Sequence, residues 1–248
     1  MSKLVLITGA SRGIGAATAL LAARQGYTVA VNYSSNAQAA DAVVRQIGQA
    51  GGQAIALQAD VAEEAQVLAM FEQLDARFGR LSALVNNAGV VDQTSRVDGM
   101  SLARLQRMFA VNVFGSFVCA REAVKRMSRR YGGSGGAIVN VSSAASRLGS
   151  PGQYVDYAAA KGAIDTFTIG LAKEVALEGI RVNAVRPGII DTEIHASGGL
   201  PTRARDVAPQ VPMQRAGSAE EVAEAIVWLL GDQASYSTGS FIDVAGGR

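Results

Sequence analysis

Of the six tyrosines in the 248-residue chain, Tyr157 alone has a lysine four positions later, Lys161. On a helix that spacing puts a phenol and an ammonium on one face. A free tyrosine titrates near pH ~10 and is a poor proton shuttle at neutral pH. A nearby cation favours the phenolate, so Tyr157 is expected to have a lowered pKa and to work as a general acid/base. Such a pair also arises by chance on surface helices, and its weight comes from its neighbours. Ser142 and Ser143 close an apolar run shortly before the tyrosine. A hydroxyl there can donate to a substrate oxygen as charge develops, although a serine pair at a strand end serves equally as a cap. Asn112 lies in a helical stretch, where it is either surface or, if buried, in need of a partner.

A second group of residues has the chemistry of a phosphate cradle. The run Gly9-Ala10-Ser11-Arg12-Gly13-Ile14-Gly15 follows an apolar strand pattern and precedes a helical one. Glycines there let the backbone turn sharply and approach a pyrophosphate, and a helix N-terminus supplies N–H donors. Glycines in a turn can be purely structural, but the position after the first strand of a βαβ unit favours a dinucleotide. NAD sites expect a carboxylate at the end of the second strand, bonded to the ribose 2′-hydroxyl. Here that strand ends in Asn32-Tyr33-Ser34-Ser35, and the first acid of the chain is Asp41. Arg12 supplies a cation, and Asn32, Ser34 and Ser35 supply donors, for a 2′-phosphate. The expected cofactor is therefore NADP(H). Asp60-Val61 ends the third strand, where Asp60 with Glu63 reads as a capping box and also as an adenine contact. Asn86-Asn87-Ala88-Gly89 ends the fourth, as a turn or as one wall of the cofactor cleft. Pro187-Gly188 forces a turn after the sixth. Ile190 opens the segment beyond it, and Thr192 is placed to cap that segment or to hold the nicotinamide amide.

These residues need strands and helices in alternation, and the chain supplies them. Runs at 4–8, 28–32, 54–58, 83–86, 137–141, 181–185 and 241–244 are rich in Val, Ile and Leu without polar alternation, as strands covered on both faces are. Between them lie helical patterns, clearest at Val222, Ala225, Ile226, Leu229 and Leu230, opened by a capping box of Ser218 and Glu221. The rhythm predicts an α/β, doubly wound parallel sheet in a single domain spanning 1–248. Segment 190–212 carries Gly198, Gly199, Pro201, Pro209 and Pro212 without a period, and reads as a substrate lid.

Composition excludes other classes. With 49% hydrophobic and 18% charged residues, disorder is a poor reading. The net charge of +2 and a pI near 8.8 are mild. Lys125, Arg126, Arg129 and Arg130 cluster without interleaved aromatics, which suits a solvated face better than a nucleic-acid site. Cys119 is the single cysteine, so no internal disulfide forms. No apolar run reaches a membrane-spanning length, and the start of the chain lacks the order of a leader peptide; the expected location is the cytoplasm. No metal-ligand set is visible.

Taken in order, Thr8-Gly9-x-x-x-Gly13-x-Gly15, Asp60, Asn86-Asn87-Ala88-Gly89, Asn112, Ser143, Tyr157-x-x-x-Lys161 and Pro187-Gly188 resemble the short-chain dehydrogenase/reductase family over nearly the whole chain. The resemblance implies a seven-stranded parallel sheet, a homotetramer, and hydride transfer between a nicotinamide and a carbonyl or alcohol carbon. It implies that Tyr157 gives the proton, Ser143 rather than Ser142 binds the substrate oxygen, Lys161 also holds the nicotinamide ribose, and Asn112 supports a relay water. Val31-Asn32-Tyr33-Ser34 is similar to the NADPH-dependent 3-oxoacyl-carrier-protein reductases. The 14-residue step from Ser143 to Tyr157 and the stretch Gln153-Tyr154-Val155-Asp156 depart from them, which leaves the substrate open.

The expected function is a carbonyl reductase acting on a small-molecule 3-oxoacyl or ketone substrate. A sugar or polyol dehydrogenase, a non-catalytic NADP(H) sensor, and docking of a carrier protein through Arg126, Arg129 and Arg130 are the alternatives. The substrate pocket is expected from 90–96, 144–154 and 189–200. His195, the one histidine, is expected to face solvent there.

Overall fold

The computed structural model describes residues 3–248, apart from the side chains of His195 and Ser197, so the expected orientation of His195 lies outside the described residues. Seven strands form one parallel sheet in the order β3-β2-β1-β4-β5-β6-β7. They are β1 (Leu4–Ile7), β2 (Thr28–Tyr33), β3 (Ala54–Gln58), β4 (Ala83–Asn86), β5 (Gly136–Val141), β6 (Ile180–Pro187) and β7 (Phe241–Val244). The helices are α1 (Gly13–Arg24), α2 (Ala37–Gln49), α3 (Glu64–Phe78), α4 (Leu102–Phe109), α5 (Gly115–Met127), α6 (Ala145–Leu148), α7 (Val155–Val175), α8 (Ile194–Ser197), α9 (Arg203–Val207) and α10 (Ala219–Leu230). All seven expected strands are present, with ends moved by two residues at most.

The continuous apolar runs are explained by two cores, one on each face of the sheet. In β1, Val5 and Ile7 join the core built with α1, α2 and α10, while Leu4 and Leu6 join the one built with α3, α5 and α7. Period-two alternation thus divides one strand between two oily layers, and no face is left for polar residues. On α10, Val222, Ile226, Leu229 and Leu230 are buried, and the Ser218–Glu221 capping box forms as expected. The other expected box does not form. Glu63 stands at the N-cap of α3 without a side-chain cap, and Asp60 Oδ1 instead accepts from Ala62 N at 3.0 Å. Because α3 starts with its N-cap at Glu63, three residues later than expected, Asp60 is a turn brace rather than a helix cap.

Strand order reverses direction of growth at β1, with β2 on one side and β4 on the other. A crevice opens there at the carboxyl ends of the strands, where doubly wound sheets bind ligands. Three features set its walls. A π-turn, Ala110–Phe114, joins α4 to α5 and carries Asn112. A buried ion pair holds α4 to α7: Arg104 Nε lies 2.8 Å from Asp156 Oδ2, with side-chain exposures of 11% and 0%. The same guanidinium donates to Gln93 O at 2.6 Å, which ties the loop after β4 to both helices. Segment 190–212, expected to be irregular, contains the two short helices α8 and α9 and is anchored by buried Ile190, Ala204 and Val211.

Removing one partner of a buried ion pair leaves the other uncompensated. Arg104→Met is therefore expected to cost about 3–5 kcal/mol of unfolding free energy at pH 7, read by urea denaturation. Adding Asp156→Leu should return part of that loss, because the stranded charge is then gone.

Candidate active site

The strand ends build one cleft of about 900 Å³. Its floor is the glycine turn between β1 and α1. Gly9 and Gly13 have φ of +60° and +53°, in the left-handed region where side chains are strained. A Cβ on Gly15 would stand 2.5 Å from both Gly9 O and Asn87 Nδ2, so the turn closes only around glycine. Two asparagines clasp it. From β2, Asn32 Oδ1 accepts from Gly9 N at 3.0 Å. From the end of β4, Asn87 Nδ2 donates to Thr8 O at 2.8 Å and Gly9 O at 3.0 Å. The Thr8 hydroxyl accepts from Asn87 N and Ala88 N, which closes the clasp.

This changes the part expected of Asn32. Its amide donates to Leu57 O and Ala59 O at 3.2 and 3.0 Å, and only 1% of the residue is exposed. Its donors are spent on backbone, so it braces the turn and has none to offer a phosphate. Ser11, Arg12, Ile14, Ser34, Ser35, Asp60, Val61, Ala88 and Gly89 all line the cleft. No acid stands at the end of β2, and α1 has none in its first turn. A turn of N–H groups that a Cβ would fill, beside a cation and two hydroxyls, suits a phosphorylated dinucleotide.

The proton-transfer residues stand on the same cleft. β5 delivers Ser142 and Ser143, and the N-terminal part of α7 delivers Tyr157 and, one turn on, Lys161. The two serines have different duties. Ser142 Oγ donates to Asp165 Oδ1 at 2.6 Å, fastening β5 to α7, while Ser143 hydrogen-bonds to the Tyr157 phenol. Lys161 Nζ donates to Val141 O at 2.7 Å and lies 5.5 Å from the Tyr157 ring centroid.

Burial governs the titration of both groups. Tyr157 is half-buried, and loss of solvent pushes its phenol up to about 12, with the Ser143 hydrogen bond pulling the other way. The lowered tyrosine pKa expected from the spacing is not found in the chain alone, because desolvation outweighs the Ser143 hydrogen bond. Lys161 is 4% exposed, and burial pulls it down to about 8 against the attraction of Asp165.

Asn112 stands behind the cleft wall, fully buried. Its amide donates to Val90 O at 3.0 Å and Met108 O at 2.9 Å, and its Oδ1 accepts from Val90 N at 3.2 Å. A Cβ on Gly89 would meet Asn112 Oδ1 at 2.9 Å on one side and Lys161 Nζ at 3.7 Å on the other. Pro187, Gly188, Ile190 and Thr192 complete the far wall. Thr192 Cγ2 would lie 3.4 Å from a Cβ on Gly13, so the start of segment 190–212 touches the glycine turn. The expected substrate segments contribute Val90, Val91, Leu148, Tyr154 and Ile194 among others, and Val111, Arg107, Arg203 and Arg248 join them unforeseen.

The sequence model of the family described as enoyl-(acyl carrier protein) reductase matches residues 9–248. The chain belongs to the short-chain dehydrogenase/reductase family. It is 62% identical over 245 residues to the uncharacterized oxidoreductase YgfF of Escherichia coli K12, covering 99% of both chains. It is 40% identical to a 3-oxoacyl-[acyl-carrier-protein] reductase of Synechocystis, covering 99% of this chain and 96% of that one. A double mutant of a Serratia marcescens short-chain dehydrogenase/reductase has the same fold, with a TM-score of 0.90 at 35% identity over 99% of this chain and 97% of that one. The chain is thus an oxidoreductase of a family that uses a nicotinamide cofactor.

The pKa directions make a pH prediction. Tyr157 keeps its proton throughout the neutral range, whereas Lys161 is cationic below about pH 8 and neutral above it. For carbonyl reduction, kcat/KM reports the free enzyme's groups. It is expected to be flat below that pH and to fall above it as the ammonium is lost.

Proposed function

We propose that this oxidoreductase is an NADPH-dependent carbonyl reductase acting on a 3-oxoacyl or other small ketone substrate. The observation that carries the reading is the convergence of Ser143, Tyr157 and Lys161 on one cleft with the glycine turn. Gly9, Ser11, Gly13, Ile14 and Gly15 would hold the pyrophosphate, and Arg12 with Ser34 the 2′-phosphate. Asp60, Val61, Asn87, Ala88 and Gly89 would line the adenine side, and Pro187, Gly188, Ile190 and Thr192 the nicotinamide side. When bound, NADPH supplies the hydride that reaches the carbonyl carbon. Ser143 donates a hydrogen bond to the carbonyl oxygen, and Tyr157 gives that oxygen its proton. With one proton on Val141 O, the Lys161 ammonium has two left for a ribose hydroxyl and for stabilising the phenolate that forms. Asn112 acts as a positioning residue, fixing Gly89 and Val90 beside Lys161.

Segment 190–212 serves as the lid, since it begins against the glycine turn and lines the cleft as far as Arg203. Exposed Phe117 and Ile169, 45% and 41% accessible on α5 and α7, support assembly of copies into a homotetramer. A single buried cysteine and no helix, among the described residues, long and apolar enough to cross a membrane suit a cytoplasmic enzyme.

Two measurements test the reading. NADPH oxidation with a 3-oxoacyl thioester, a simple ketone, a diketone and a sugar lactone should show turnover on one class. Tyr157→Phe should cut it by about 10²–10⁴-fold with NADPH binding intact. Turnover on none, with NADPH bound, favours a sensor. Second, wild type should bind NADPH more tightly than NADH in a fluorescence titration. Arg12→Ala should weaken NADPH at least about tenfold, as loss of a charge-assisted bond implies, and leave NADH nearly unchanged.

A further inference from the structure

We propose that Arg203 on the lid is an anion anchor, so that the substrate carries a carboxylate or similar anionic group at the end remote from its carbonyl. The inference rests on the reductase reading and names the substrate class of that site. Arg203 opens the short helix α9 and lines the cleft. It is held in place: Nη2 donates to Gln153 Oε1 at 2.6 Å, and the guanidinium lies 5.2 Å from the Tyr154 ring centroid. Both supports sit just ahead of Tyr157 in the chain, and Tyr154 is buried. Among the described residues, no carboxylate is within ion-pair distance of Arg203. The acids of the cleft wall belong to its other end. Asp60 closes β3, and Glu193 Oε2 would lie 3.6 Å from a Cβ on Gly13.

An oriented guanidinium with no carboxylate partner is a ready fork for a planar anion. Gln153 and Tyr154 hold its rotamer in advance, which lowers the entropy cost of using it. The same cleft has apolar lining from Val91, Leu148, Pro151, Ile189 and Ile194. A ligand matching this cleft has a carbonyl for Tyr157, an apolar middle and an anionic end. Arg107 and Arg248 reach the same cleft, so the test singles out Arg203.

The probes are straight-chain keto acids with two to six carbons between ketone and carboxylate, and their methyl esters. They are assayed with NADPH on wild type, Arg203→Met and Arg203→Lys. At one chain length or more, wild type should have a KM for the acid at least about tenfold below that for the ester, as a charged hydrogen bond implies. Arg203→Met should raise the acid's KM about 10–100-fold, with kcat little changed and the ester unaffected. Arg203→Lys should recover part of the affinity, since charge returns without the fork. Equal treatment of acid and ester by wild type, or an equal loss of both in Arg203→Met, overturns the anchor. If neutral ketones are reduced and neither acids nor esters are, the anchor falls and the reductase reading stands. If no carbonyl is reduced, the reductase reading falls. The anchor is then decided by calorimetric binding of the acids to the chain saturated with NADP⁺, where Arg203-dependent affinity upholds it and its absence overturns it.

Discussion

A row of backbone N–H groups must face a ligand and still be rigid, and the rest of this structure is arranged around that demand. Groups left open for a phosphate cannot also be tied up in a helix or a sheet. The turn between β1 and α1 is therefore held from behind. Asn32 grips Gly9 N from one neighbouring strand, and Asn87 grips Thr8 O and Gly9 O from the other. Both asparagines sit at strand ends flanking β1, positions that exist because the sheet grows outward from it in two directions. The approach is so close that a single methyl on Gly15 would collide with the clasp and with the turn itself. Topology, glycine spacing and paired amides answer one requirement.

The proton-transfer end follows a parallel logic with charge in place of geometry. Lys161 is buried, and its nearest polar partner is a neutral carbonyl, Val141 O. Asp165, one turn further along α7, stabilises the ammonium from a distance. That carboxylate is itself held by Ser142 and by Arg186, whose Nη2 lies 3.0 Å away. Arg186 in turn stacks on Phe241 of β7 at 3.9 Å. A carboxylate in direct contact would keep the lysine charged but would occupy the donors needed for a ribose. Setting the acid back keeps the charge and leaves donors available.

Much of this was legible in the sequence, and the limits have physical causes. Strands buried on two faces leave apolar runs that cannot be mistaken for surface, and the ordered motif residues line one cleft apart from the buried Thr8, Asn86 and Asn112. What a side chain does with its donors is a different matter. Asn32 reads as a phosphate ligand and proves to be a brace, because Leu57 O and Ala59 O come to it from another strand. The Tyr157–Lys161 spacing announces an ammonium near a phenol but is silent on desolvation, which dominates both groups. Arg104 and Asp156 are 52 positions apart and share no local pattern, so their pairing is visible only in three dimensions. Arg203 lies just past the stretch that was expected to line the pocket, in a segment where no periodicity marks which residues turn inward.

The stretch 153–156, which departs from the pattern of 3-oxoacyl reductases, gains a reason from its contacts. Gln153 O accepts from Ser95 N, and its side chain accepts from Arg203 on the lid. Tyr154 supports the same arginine, and Asp156 holds Arg104, which in turn holds Gln93 O. Three of the four residues just before Tyr157 thus fasten the loop after β4, helix α4 and the lid to the start of the catalytic helix. A change in this stretch would act on the loop after β4, helix α4 and the lid, whereas Ser143 is carried by β5 and Lys161 by the next turn of α7. Substrate choice can then vary within the family without disturbing proton transfer, because the two are secured by different ends of the same short run of chain.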